Sequence, residues 1–133
     1  VSIPELGTRK AVHIPFVVLT SNNYRDISDA LKRRCLYLYI DYPDQGLEAR
    51  IVRMKVPGIE ETLVQKLVDA IVKIRNMDLK KKPSISETLD WARSLIALQI
   101  QDLTPEVVID TLNVICKYRA DTELVKQSVS KIV

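Results

Sequence analysis

The spacing of apolar residues changes once along the chain, near Pro43. Ahead of that point they come in short unbroken runs. Residues 16 to 20 read Phe-Val-Val-Leu-Thr and residues 36 to 40 read Leu-Tyr-Leu-Tyr-Ile. Runs of this length, rich in β-branched and aromatic side chains, predict strands buried on both faces, as in a parallel sheet. Between them, Ile27, Ala30 and Leu31 fall at helical spacing within residues 24 to 34, which predicts a short helix. The opening therefore reads strand, helix, strand, the crossover grammar of an α/β sheet. Two strands are too few for a stable parallel sheet, so further strands are expected upstream.

Beyond Pro43 the pattern becomes helical throughout. Asp44 is placed to cap a helix to about Val56, with Leu47, Ile51 and Met54 on one face, and Pro57-Gly58 ends it. A helix from about Glu60 to Met77 carries Leu63, Leu67, Ile71 and Ile74 in phase, with Val64 and Val68 beside them, the strongest periodic signal in the chain. Ser84 with Glu87 three residues later forms a capping box that opens a helix to about Ile100. Thr104-Pro105-Glu106 supplies a cap, a proline at the first helical position and an acid matched to the dipole, and the helix it starts carries Val108, Leu112 and Ile115. A last helix from about Asp121 carries Val125, Val129 and Ile132.

Composition narrows the class without fixing it. The 133 residues are 47% apolar and 28% charged, the balance of a globular domain, and no apolar run approaches the roughly 18 residues that span a bilayer, so no membrane role is expected. Cys35 and Cys116 both lie in apolar settings and are expected to be buried thiols in a reducing, cytoplasmic environment. His13 is the lone histidine, so no metal site is expected. The net charge of +3 is mild. Lys80-Lys81-Lys82 is the densest basic run; it suits a solvated loop or, as a sharper alternative, a nucleic-acid contact, but no aromatic interleaves with it, and nucleic acid is not the expected partner.

Three small groups can carry chemistry. Asn22 follows the run 16 to 20, at the edge where α/β sheets bind ligands; it either orients a phosphate oxygen and an attacking water or, with Ser21, caps a turn. Arg33 and Arg34 end the short helix before the strand 36 to 40. The helix dipole favours cations there, and a guanidinium clamped by that strand could also reach a neighbour's phosphates. Arg93, in Asp90-Trp91-Ala92-Arg93, falls outside the face formed by Leu89, Ala92 and Ile96 and should reach solvent, as surface arginines commonly do.

Taken in order, these groups resemble the AAA+ ATPases. Phe16-Val17-Val18-Leu19-Thr20-Ser21-Asn22 is similar to the sensor 1 strand, and Asp29-Ala30-Leu31-Lys32-Arg33-Arg34-Cys35 to the arginine-finger helix end. Ile40-Asp41-Tyr42-Pro43-Asp44 and Thr88-Leu89-Asp90-Trp91-Ala92-Arg93 resemble the MoxR branch, and the opening Val1 to Gly7 resembles the hairpin that precedes sensor 1 there. The resemblance implies an α/β remnant of a P-loop core over residues 1 to 43 followed by an all-α lid bundle over 44 to 133, predominantly helical overall. It implies Asn22 as sensor 1, Arg34 (or its neighbour Arg33) as a finger acting on the next subunit's ATP, and Arg93 as sensor 2. ATP and Mg would be held mainly by a phosphate loop and an acidic strand end expected upstream of Val1, so the 133 residues alone should be inactive. The parent would form a ring, a hexamer by resemblance, and remodel a protein substrate or a von Willebrand factor A domain partner. The rival expectation is a non-enzymatic helical interaction module that uses the basic loop.

Overall fold

A computed structural model describes residues 2–5, 7–8, 12–21 and 27–133. The chain divides into two units, Val1–Tyr39 and Ile40–Val133.

In the first unit, β1 (Ser2–Ile3) pairs antiparallel with β2 (Gly7–Thr8), with Ser2 opposite Thr8 and Ile3 opposite Gly7. Gly7 sits at φ +68°, a left-handed geometry that a side chain would oppose. The helix expected over 24 to 34 is reduced to α1 (Asp29–Lys32), one turn with no buried residue; residues 22 to 26 lie outside the described residues. The two expected strands are not formed. Residues 16 to 20 and 36 to 40 are unpaired, and Phe16 and Leu36 are almost wholly exposed. The two strands are therefore corrected to unpaired segments, and the described residues do not show the α/β remnant. A strand satisfies its amides and carbonyls only through neighbouring strands, and no partner ladder flanks these runs.

The second unit is a helical bundle of α2 (Gln45–Lys55), α3 (Glu61–Arg75), α4 (Ile85–Ala97), α5 (Pro105–Ile115), α6 (Arg119–Gln127) and α7 (Val129–Ile132). With α1 they make the described chain predominantly helical. The caps form where expected. The Asp44 carboxylate accepts from the Leu47 N–H at 2.8 Å. The Ser84 N–H donates to Glu87 Oε2 at 2.9 Å while the Ser84 hydroxyl accepts from the Ser86 N–H at 3.2 Å, closing the capping box of α4. Thr104 Oγ1 accepts from the Val107 N–H, with Pro105 at the first helical position of α5.

α3 is the spine. Its Leu63, Val64, Leu67, Val68, Ile71 and Ile74 are all buried, and α2, α4 and α7 pack around it. Burial of each such side chain contributes about 1.5–3 kcal/mol, so this one face outweighs any sum of propensities along the helix. α5 closes the other side through Val108, Leu112 and Ile115, packed against α4, α6 and α7. The last helix is split: Ser128 interrupts it, and α7 carries Ile132 back onto the core. α4 ends in a Schellman motif, in which the Gln99 N–H donates to the Ile96 carbonyl and the Ile100 N–H to the Leu95 carbonyl, both at 2.9 Å. The left-handed position of that motif is filled by Gln99 at φ +57°, where glycine would be unstrained.

Two expectations turn around in detail. Leu47, Ile51 and Met54 do share a face of α2, but it points outward: Met54 is 70% exposed and Leu47 43%. The buried side of α2 is Glu48, Ala49 and Val52, continued by Val56. In α4 the core side centres on Thr88, Trp91, Ala92 and Leu95, leaving Leu89 half-buried and Ile96 at the surface.

Candidate functional site

The candidate residues fall into separate places. Asn22 lies outside the described residues. Arg33 and Arg34 follow α1. Their backbone N–H groups donate to the carbonyls of Asp29 and Leu31, both at 3.0 Å, and their side chains stand in solvent. Neither guanidinium enters an ion pair among the described residues, and the strand expected to clamp them, over 36 to 40, is absent. Lys32 leans over the Tyr37 ring with its Nζ 5.8 Å from the centroid. Cys35 is exposed, against the expectation of a buried thiol, because no paired strand covers it.

Arg93 rides on α4 in the second unit. The opposite side of that helix is locked: Trp91 is fully buried, and its indole Nε1–H donates to Thr111 Oγ1 at 2.7 Å, whose own hydroxyl donates to the Val107 carbonyl at 2.6 Å. The Arg93 side chain is 54% exposed and touches Asp90, one turn back, at 3.1 Å. An exposed pair of this kind contributes little, about 0.2–1 kcal/mol, so Arg93 can leave Asp90 for a better anion at small cost. Arg33 and Arg34 belong to one unit and Arg93 to the other.

The polar centre of the bundle lies elsewhere, among residues that periodicity reading passed over. Arg75, at the end of α3, is buried and uses its whole guanidinium. Nη1 and Nη2 bind Glu48 Oε2 and Oε1 at 2.5 and 2.7 Å, Nε donates to the Pro83 carbonyl at 2.7 Å, and Nη2 also meets Thr88 Oγ1 at 3.2 Å. The Thr88 hydroxyl donates to Glu48 at 2.7 Å, and the Tyr42 ring lies over the guanidinium carbon at 4.7 Å. This bidentate pair, which meets Thr88 as well, joins α2, α3 and α4 and is a buried structural clamp. Its signal was present in the sequence. Glu48 lies four residues before Val52 and Arg75 four after Ile71, so opposite charges occupy the buried phase of two neighbouring helices.

The basic loop is likewise accounted for. The Asp121 carboxylate, buried at the start of α6, accepts from the Lys80 and Lys81 N–H groups at 2.9 and 3.1 Å. Lys80 Nζ sits 4.3 Å from the Tyr118 ring centroid, an aromatic partner delivered by the fold, and Lys81 Nζ lies 3.6 Å from Glu87. Cys116 is buried nearby; burial and then the Asp121 charge push its thiol up to about 11. At the surface, hydrogen bonds from Arg53 and Gln65 hold the Glu61 carboxyl down at about 2.

Among the described residues, no cluster of three or more His, Cys, Asp or Glu is placed to hold a metal ion, and no helix is long and apolar enough to cross a membrane. Comparison with protein-family models, with curated proteins and with solved structures finds no match to this chain.

Proposed function

We propose that the chain is the C-terminal part of a MoxR-type AAA+ ATPase, the end of its nucleotide-binding core followed by its helical lid. The parent enzyme binds and hydrolyses magnesium-ATP in a cytoplasmic, hexameric ring and uses the cycle to remodel a protein substrate or a von Willebrand factor A domain partner. The observation that carries this reading is Arg93: a guanidinium on a helix whose far side is anchored by Trp91, held only by an exposed and exchangeable carboxylate. That suits a sensor 2 arginine, which must move from solvent to phosphate as the lid closes. The charge distribution agrees. Residues 40 to 133 carry fourteen Lys and Arg against fourteen Asp and Glu, so the net +3 resides in residues 1 to 39, beside Arg33 and Arg34. In this reading Asn22 orients the hydrolytic water, Arg34 neutralises charge on the neighbouring subunit's transferring phosphoryl group, and bound ATP with Mg supplies the phosphoanhydride chemistry. The rival reading, a nucleic-acid module acting through Lys80 to Lys82, loses ground because Lys80 and Lys81 are already engaged within the bundle.

Two experiments test the proposal. The 133-residue chain titrated with magnesium-ATP in a calorimeter should bind weakly, and a dissociation constant in the low micromolar range, worth about 8 kcal/mol, would mean the site is misplaced. In the parent enzyme Arg34→Ala should cut turnover by roughly 10³-fold while nucleotide affinity stays within a few-fold. Mixing those subunits with subunits mutated in the phosphate-loop lysine should restore part of the activity. Co-assembly without recovery removes Arg34 as a finger acting in trans.

A further inference from the structure

We propose that the outward face of α2 is a docking site for an acidic amphipathic helix of a partner protein. The inference is independent of the ATPase reading and rests on the second unit alone. Leu47, Ile51 and Met54 stand at positions i, i+4 and i+7 on one side of the helix, Leu47 and Met54 exposed and Ile51 between them half-buried. With about 100° of rotation per residue, Arg50 falls on one shoulder of this row, with Arg53 beyond it, and Lys55 on the other.

The charges on the shoulders identify the occupant. Arg53 is bound to Glu61 at 2.5 Å, whereas Arg50 and Lys55 have no carboxylate partner among the described residues. The one acid on α2, Glu48, is buried and consumed by Arg75. An apolar seam edged on both sides by cations is complementary to a helix with apolar residues at the same spacing and Asp or Glu on both flanks. Met54, the most exposed of the three, is unbranched and adapts to such a ridge. A second copy of this chain fits poorly, since pairing α2 with itself sets cation against cation on each shoulder. An anionic membrane fits poorly as well: the other side of α2 is fixed into the core by Ala49, Val52 and the Glu48–Arg75 pair, so only Leu47 and Met54, with half-buried Ile51 between them, face outward to insert.

The test uses the 133-residue protein and two synthetic helical peptides of about four turns, both with leucines at i, i+4 and i+7. One carries glutamates on both flanks and the other lysines. By fluorescence anisotropy at low salt, the glutamate peptide should bind at least about ten times more tightly than the lysine peptide, and added salt should weaken it. In a nuclear magnetic resonance titration the amide signals of residues 47 to 54 should move. Met54→Glu, at a site exposed enough to leave the fold intact, should weaken binding of the glutamate peptide by about ten-fold or more, and Arg50→Glu with Lys55→Glu should reverse the preference. Equal binding of the two peptides, no binding up to about 1 mM, or indifference to Met54→Glu overturns the proposal. So does self-association in sedimentation that Met54→Glu abolishes, which makes the occupant a second copy. Pelleting with phosphatidylserine vesicles without peptide preference makes it a lipid surface instead.

Discussion

Residues 1 to 39 and residues 40 to 133 are almost equally apolar, 19 of 39 against 43 of 94, yet every buried hydrophobic residue among those described lies in the second group. Apolar content alone therefore does not make a core. A helix satisfies its own amides and carbonyls, so an apolar face can be buried as soon as another helix meets it. A strand cannot bury its side chains until a neighbouring strand takes up its backbone groups. The runs 16 to 20 and 36 to 40 have the side chains of interior strands and no ladder, and they stand in solvent.

The sharpest way to break this contrast is to attack the clamp. Arg75→Ala should cost about 3–5 kcal/mol in urea unfolding, because it strands the Glu48 charge inside the bundle, whereas Leu36→Ala should stay within about 0.5 kcal/mol. If the two substitutions cost the same, residues 36 to 40 are packed in solution after all. Trp91→Phe comes next. It removes the indole hydrogen bond to Thr111 and leaves a small void, and should cost about 2 kcal/mol. Adding Thr111→Val should recover part of that loss, measured as the coupling in a double-mutant cycle.

The third effect depends on pH. Folding raises the Cys116 thiol to about 11, so above its unfolded value near 8.5 the unfolded state releases the proton first, and stability falls as pH rises. Between about pH 8.5 and 11 the bundle should lose roughly 1–2 kcal/mol that a Cys116→Ala variant, weaker at neutral pH, does not lose. A parallel pH dependence in the two proteins would assign the loss to other groups. The smallest effect has the opposite sign. Gln99→Gly relieves a left-handed residue at the end of α4 and should stabilise by about 0.5–1 kcal/mol, seen as a higher midpoint at unchanged slope.

What could be read from the chain beforehand follows the same division. The caps at Asp44, Ser84 and Thr104 and the apolar phase of α3 depend on contacts within a few residues, and they were legible. The orientation of α2 was not. Leu47, Ile51 and Met54 outweigh Ala49 and Val52 in bulk, and it is the Arg75 guanidinium, 27 residues away, that draws Glu48 inward, leaving Leu47 and Met54 exposed and Ile51 half-buried. Strand pairing was illegible for a related reason: local composition reports the preference of a segment, and the partner that would realise it is not local. Of the candidate site, the solvent position of Arg93 followed from helical phase, whereas helical phase says nothing of what Arg34 or Asn22 would meet.

The Asp121 carboxylate that holds the Lys80 and Lys81 amides spans 41 and 40 residues of sequence, and Lys73 Nζ reaches the Ile132 carbonyl, 59 residues on, at 2.8 Å. The bundle is thus closed by its latest residues. During synthesis at about 5–20 residues per second, α3 exists for several seconds with its flank toward α7 uncovered and the 80–81 amides unbonded. On the ribosome, an emerging chain must carry that apolar flank in the open until residue 132 clears the exit tunnel, and that interval is when a chaperone would find it.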